Sequence, residues 1–328
     1  MKVLVTGGLG FIGSHTVVEL QNEGFEVIII DNLSNTSLSV LGGIQNITGK
    51  VPAFEQLDLR DKNKVQDFFK RHTDIEGVIH FAASKAVGES VGNPLLYYEN
   101  NINVLVYILQ ELEKKHTANL IFSSSCTVYG QAKKMPITED SSVQTAMSPY
   151  GNTKQIGEEI IIDAAKASSI NAILLRYFNP IGSHPSAEIG ELPLGVPQNL
   201  VPFITQTGIG LRQELSVYGD DYPTPDGTAI RDYIHVVDLA KAHVIAMQRL
   251  LNKKNQDKVE TFNLGTGTGS SVLEVIHAFE KVSGQKLPYK IVARREGDIT
   301  EAYANTHKAN TILGWKAQST LEEAMASA

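Results

Sequence analysis

At 328 residues, with 42% hydrophobic and 20% charged side chains, the chain is long enough to bury a sizeable core and too apolar to remain disordered. A formal net charge of −7 argues against a nucleic-acid surface, which needs concentrated Lys and Arg. One cysteine, Cys126, excludes an intramolecular disulfide, the 9 histidines lack metal-ligand spacing, and no apolar run reaches the ~20 residues of a membrane helix, so a cytoplasmic protein without a metal is expected.

Met1 leads straight into a strand-like run over residues 3–6, without a signal peptide, and further β-branched runs follow at 27–30, 78–80, 120–124 and 172–177. Their near-continuous hydrophobicity suits burial on both faces. Helical spacing occupies residues 12–23, 62–71, 93–115 and 149–167 between them. This alternation predicts an α/β, Rossmann-type doubly wound parallel sheet. After Tyr177 prolines recur through a Gly-rich stretch, and helical patterns resume at 237–251, 272–282 and 321–326, with a strand-like ETFNLG ending at Gly265. The reading divides the chain into a dinucleotide-binding domain, 1–178, and a smaller C-terminal α/β substrate lobe, 179–328.

The first strand runs directly into Gly8-x-Gly10-x-x-Gly13, overlapped by the frame Gly7, Gly10, Gly13, which opens the first helix. Glycine allows the tight turn and lets a pyrophosphate approach the helix N-terminus. Asp31 ends the second strand, eighteen residues past Gly13, where a carboxylate accepts hydrogen bonds from both adenine-ribose hydroxyls and repels a 2'-phosphate; NAD is therefore expected as cofactor. The competing reading of Asp31 is a helix cap. Asp58 can contact the adenine side in the same way or act only as a turn former.

Tyr150-Gly-Asn-Thr-Lys154 places a phenol and an ammonium one helical turn apart, and Ser125 lies twenty-five residues earlier, at a strand end where ligands of open parallel sheets bind. A free tyrosine, with a pKa of about 10, must drop roughly three units, about 4 kcal/mol, to work near neutrality. Lys154 and an oxidised nicotinamide, each ~5 Å away at an effective dielectric near ~20, supply roughly 3 kcal/mol apiece before desolvation. Tyr150 is then the acid/base, Ser125 its partner on the same substrate oxygen, and Lys154 the group that lowers the phenol pKa and holds the nicotinamide ribose. A half-buried tyrosine on an ordinary amphipathic helix is the bland alternative.

These residues sit in VTGGLGFIGSH from Val5, DNLSN from Asp31, HFAASKAVGESV from His80, SSSCTVYG from Ser123, SPYGNTK from Ser148, LRYFNPIGSHPS from Leu175, DYPTPDGTAIRDYIHVVDLA from Asp221 and RREGDI from Arg294. Taken in order, the segments resemble the extended short-chain dehydrogenase/reductases, and within them the UDP-glucose 4-epimerases, over essentially the whole chain. The resemblance implies an NAD site lined by Phe11, Ile12, Asp31, Asn32, Asp58, Leu59, Phe81, Ala82, Lys85, Asn100 and Phe178, with the cofactor held without exchange. For a UDP-sugar it implies Asn179, Asn199, Leu200, Tyr218, Arg231, Arg295 and Asp298, the arginines meeting diphosphate charge. Read without the resemblance, Arg231 and Arg295 are surface cations or salt-bridged.

The implied activity is 4-epimerisation of UDP-glucose and UDP-galactose through a 4-ketopyranose. Family dehydratases carry an Asp-Glu pair after the active-site Ser or Thr; here Cys126 and Thr127 stand there, which disfavours elimination. Cys126 reads as a small buried neighbour. Some epimerases carry a bulky Tyr four residues after the equivalent of Asp298, where this chain has Ala302, implying room for N-acetyl sugars; a one-residue shift would put Tyr303 there. Family members commonly dimerise through two helices per subunit, so the apolar faces of 93–115 and 149–167 are expected in a homodimer, with Tyr97 and Tyr98 as interface or core residues. The alternatives are another UDP-sugar-modifying oxidoreductase, such as a decarboxylase or dehydrogenase, and a non-catalytic dinucleotide sensor.

Overall fold

The apolar runs become the interior of one parallel sheet. A computed structural model describes residues 1–116, 118–295 and 298–328; Glu296 and Gly297 of the RREGDI segment lie outside the described residues. In chain order the strands are β1 (Lys2–Thr6), β2 (Glu26–Asp31), β3 (Ala53–Gln56), β4 (Ile75–His80), β5 (Ala118–Ser125), β6 (Ile170–Tyr177), β7 (Asn179–Ile181), β8 (Leu215–Tyr218), β9 (Ile230–Arg231), β10 (Tyr233–His235), β11 (Val259–Leu264), β12 (Ser270–Ser271), β13 (Tyr289–Val292) and β14 (Glu301–Ala302). Seven form the main sheet in the order β11-β6-β5-β4-β1-β2-β3, every pair parallel. The order reverses at β1, so the crevice beyond the carboxyl ends of β1 and β4 is the topological switch point where ligands of such sheets bind. The edge strand β3, AFEQ, carries no continuous apolar run; the third strand expected to end at Asp58 stops two residues earlier, at Gln56.

The helices are α1 (Phe11–Asn22), α2 (Ser39–Thr48), α3 (Lys62–Arg71), α4 (Val87–Gly92), α5 (Pro94–Tyr98), α6 (Val104–Leu112), α7 (Pro149–Ala167), α8 (Leu200–Gly208), α9 (Val236–Leu251), α10 (Val272–Ser283) and α11 (Leu321–Ser327). Alternate residues of β1 feed opposite cores. Val3 and Val5 face Val17, Val18 and Leu20 of α1 and Leu239 and Met247 of α9, while Leu4 faces Phe68 of α3, Leu105 of α6 and Ile161 of α7. No helix of the described residues is long and apolar enough to cross a membrane.

Two sequence expectations are refined here. The helix expected over 93–115 is α5 and α6 joined by a π turn at Glu99–Asn103. Its register is held by Asn101, buried in that apolar stretch, which accepts from Ser84 N (2.8 Å) and donates to Ser84 O and Thr153 Oγ1 (3.0 Å each). Residue 178 marks where the chain first leaves the sheet, but the chain returns: β11 pairs with β6, and α9 packs against α1. The remaining segments build a lobe with its own core, including Val201, Ile204, Val217, Ile276 and Phe279.

Candidate active site

Each glycine of the first turn has its own reason. Gly7 adopts φ +67°, and a Cβ there would lie 2.8 Å from Ala82 N, the backbone of the loop after β4. At Gly13 a Cβ would meet Gly7 O at 2.3 Å, so this residue closes α1 onto the turn, and at Gly8 it would strike Ile29. Gly10 alone has room, its nearest neighbour being Gly7 O at 3.3 Å, and it is the N-cap of α1 with no capping side chain. The first amides of α1, at Phe11 and Ile12, are therefore free of a competing side-chain oxygen, which suits a pyrophosphate.

Asp31 is buried at the end of β2; its carboxylate accepts from Leu9 N at 3.2 Å and from Leu33 N at 2.9 Å. Burial raises its pKa, and these amides oppose the rise. It thus clamps the glycine turn to the β2 loop, a role outside both sequence readings, and retains acceptor capacity for ribose hydroxyls. Asp58 is engaged by Arg60 (Nη2 to Oδ2, 2.6 Å), which holds its carboxyl below the usual range, and Asn32 Oδ1 accepts from Ser34 N at 3.0 Å. Leu59 is a residue of the second core and Phe81 packs on His243 at 4.7 Å. Asn100 donates to Ser84 Oγ at 3.0 Å. Lys85 reaches across to Glu191 at 3.3 Å, and Glu191 also accepts from Asn199 at 2.8 Å, linking a cofactor-side and a substrate-side candidate.

Ser148 caps α7 by accepting from Gly151 N at 3.1 Å, and Pro149 occupies the first turn, so Tyr150 projects from the helix start. Lys154 follows one turn later, buried, donating to Ser123 O at 2.7 Å and lying 5.9 Å from the Tyr150 ring centroid. Ser125 closes β5, buried, its hydroxyl accepting from Thr127 N at 3.2 Å, and its nearness lowers the Tyr150 pKa. The three side chains predicted from separate segments therefore meet at one strand end. Their electrostatics differ from the expectation: burial dominates and pushes the Tyr150 phenol up to about 12, while it pulls Lys154 down to about 8 against the attraction of Glu158. The protein's own groups do not bring the phenol near neutrality; that requires additional positive charge beside it. Burial likewise pushes the Cys126 thiol up to about 11, unsuited to a nucleophile.

Phe178 and Ala302 are buried in one cluster with Val128, Tyr129, Ile137 and Ala304, and Cys126 packs against it. Tyr303 turns away: a Cβ on Gly269 would lie 3.2 Å from its ring. Ala302, not Tyr303, belongs to the buried cluster with Phe178. Arg231, directly opposite Ala302 in the β9–β14 pair, forms an ion pair with Asp298, so these two predicted substrate contacts bind each other. Arg295 stacks its guanidinium 4.0 Å over the ring of Tyr218, itself 36% exposed. Asn179 donates its backbone N to Asp232 O at 2.9 Å, and Asn199 and Leu200 start α8.

Sequence reading passed over two residues that order this region. Asp232, fully buried, accepts from Thr266 N and Oγ1 (2.8 Å each) and from Gly267 N and Ala304 N (3.1 Å each), fixing the strand that carries Ala302. Asn101 ties the loop after β4 to Thr153, next to Lys154. Two adjacent asparagines inside an apolar helical run were the available signal for the second; nothing in the pattern around Asp232 distinguished it from a surface acid.

A family model described as GDP-mannose 4,6 dehydratase matches residues 4–328. The chain is 51% identical over 324 residues to a UDP-glucose 4-epimerase of Bacillus subtilis, covering 98% of this chain and 94% of that one. Among solved structures, a UDP-glucose-4-epimerase from Stenotrophomonas maltophila with bound NAD and formylated UDP-arabinopyranose matches with a TM-score of 0.95 and 47% identity, covering 100% of this chain and 96% of that one. The UDP-glucose 4-epimerase from Bifidobacterium longum in complex with NAD+ and UDP matches with the same score, identity and coverage.

Proposed function

From the premise that the chain belongs to the UDP-glucose 4-epimerases of the extended short-chain dehydrogenase/reductase family, we propose that it interconverts UDP-glucose and UDP-galactose. The observation that carries this reading is the meeting of Ser125, Tyr150 and Lys154 at the end of β5, beside the glycine turn of a dinucleotide site. When bound, NAD would supply the redox chemistry, a hydride acceptor and donor for sugar C4. Tyr150 takes the proton of the 4-hydroxyl as the carbonyl forms and returns it to the same oxygen when the hydride comes back to the opposite face of C4. Ser125 donates a hydrogen bond to the same oxygen, and Lys154 holds positive charge under the phenol and binds the nicotinamide ribose. The first 178 residues, completed by α9 and β11, form the cofactor unit, and the lobe carrying Tyr218, Arg231, Arg295 and Asp298 holds the UDP.

Inversion requires the 4-ketopyranose to turn over between the two transfers. The wall of Phe178, Ala302 and Cys126 supports that motion, because apolar groups offer the ring little hydrogen bonding while charged groups retain the diphosphate. The dehydratase chemistry in the family model's description is disfavoured, since Cys126 and Thr127 stand where an acid pair is needed. The small Ala302 in that wall supports a second activity, on UDP-GlcNAc and UDP-GalNAc.

The test is incubation of purified protein with UDP-galactose, then UDP-GalNAc, with no cofactor added. The expected products are the C4 epimers without net NADH. Accumulating NADH or released carbon dioxide would assign a sibling oxidoreductase, and no turnover with added NAD a sensor. The same reading places the enzyme in the cytoplasm as a homodimer. Exposed Val91 on α4 and Leu95 on α5, next to the fully buried Tyr97, support an interface there. Light scattering at the monomer mass would remove the dimer from the proposal.

A further inference from the structure

Behind the three reacting side chains lies a network of polar groups that the chemistry above does not use. Glu158, one turn past Lys154 on α7, is buried and accepts from Ser124 Oγ at 2.5 Å. The same carboxylate accepts Arg176 of β6 in a fork, Nε to Oε1 at 2.9 Å and Nη2 to Oε2 at 2.5 Å. Arg176 Nη1 donates to Tyr129 OH at 2.9 Å, and Tyr129 donates to Asn263 Oδ1 of β11 at 2.6 Å. Asn263 Nδ2 reaches Ile137 O at 2.9 Å, and Ile137 N bonds Tyr303 O, next to Ala302, at 2.9 Å.

The chain of contacts has a consequence for geometry. Ser124 precedes Ser125, and Glu158 shares the buried side of α7 with Lys154, so the Ser124–Glu158 bond is a direct tie between the strand that carries one reacting group and the helix that carries the other two. Stability alone is a poor reason for this arrangement: a buried ion pair recovers in attraction roughly what it loses in desolvation, and an apolar pair of similar volume generally holds a fold as well. We propose that Glu158, acting through Ser124 and anchored by Arg176, is a positioning residue that sets the separation of Ser125 from Tyr150 and Lys154. Reaction rates respond steeply to such separations. Glu158 also opposes the effect of burial on the Lys154 ammonium, the direction the chemistry needs.

The inference rests on the epimerase reading, so the parent protein is assayed first with UDP-galactose. Ser124→Ala cuts the tie and leaves the ion pair intact. The expected variant melts within about 5 °C of the parent, keeps its bound NAD and a KM within about twofold, and loses kcat by about 10- to 100-fold. It also shows a larger isotope effect on kcat with C4-deuterated UDP-galactose, because a misplaced base slows the chemical step. Should this variant not fold, the combination Ser124→Ala, Glu158→Leu, Arg176→Met replaces the network by apolar groups and is expected to fold with the same loss of kcat. Parental kcat in either folded variant, or a kcat loss that only follows lost NAD with an unchanged isotope effect, overturns the inference. A parent that does not epimerise defeats the epimerase reading and the inference together; an active parent with unaffected variants defeats the inference alone.

Discussion

Lys154→Met isolates the charge beneath the phenol. Methionine approximates the aliphatic stem, keeps the packing over Phe122, whose ring lies 4.9 Å from Nζ, and relieves the burial of an ammonium, so folding should be preserved. At neutral pH Lys154, with a pKa of about 8, is mostly protonated. A unit charge at the 5.9 Å separation from the Tyr150 ring stabilises the phenolate by about 3 kcal/mol at an effective dielectric near ~20. That is about two pKa units. Losing a cation raises the phenol pKa, so the acid limb of the kcat profile, where activity rises as Tyr150 loses its proton, should move about two units toward higher pH. At neutral pH kcat should fall on the order of 100-fold. The assay is the pH dependence of UDP-galactose epimerisation, with bound NAD quantified at each pH because Lys154 also holds the ribose. An acid limb that stays in place in NAD-loaded variant would refute the electrostatic role and leave Lys154 a cofactor ligand only.

Ala302→Tyr, which crowds the wall shared with Phe178 and Tyr129, should lower kcat/KM for UDP-GalNAc by at least about 100-fold while UDP-galactose stays within about tenfold; equal loss on both would sink the steric reading. Gly10→Ala should fold with a parental melting temperature yet purify without NAD, since its Cβ meets only Gly7 O at 3.3 Å. Gly13→Ala, whose Cβ falls 2.3 Å from that oxygen, should cost about 3 kcal/mol and lower the melting temperature as well; identical behaviour of the two variants would remove the distinction between packing and ligand glycines. Asp232→Asn replaces an acceptor of four hydrogen bonds by a side chain with two donors of its own, and a loss of about 2–3 kcal/mol is expected in denaturant unfolding. An unchanged midpoint would show that the carboxylate does not anchor the Ala302 strand.

Most of the sheet was legible because burial on both faces demands apolar runs, and β1, β2, β4, β5 and β6 have them. So was the set Ser125, Tyr150 and Lys154, because a strand end and a helix start place residues by local geometry alone. The π turn at Glu99–Asn103 was not, since it leaves no periodic signal inside a helical run.

What the sequence by itself determined is the parallel sheet, the glycine turn and the candidate set Ser125, Tyr150 and Lys154, all written in short-range spacing. What only the tertiary structure decided depends on contacts between distant segments: the return of β11 and α9 to the first unit, the pairing of Arg231 with Asp298, the burial of Ala302 rather than Tyr303 against Phe178, and the Ser124–Glu158–Arg176 tie. The protonation balance belongs with these, because the pKa values of Tyr150 and Lys154 are set mainly by burial, a property of the packed whole that no local pattern records.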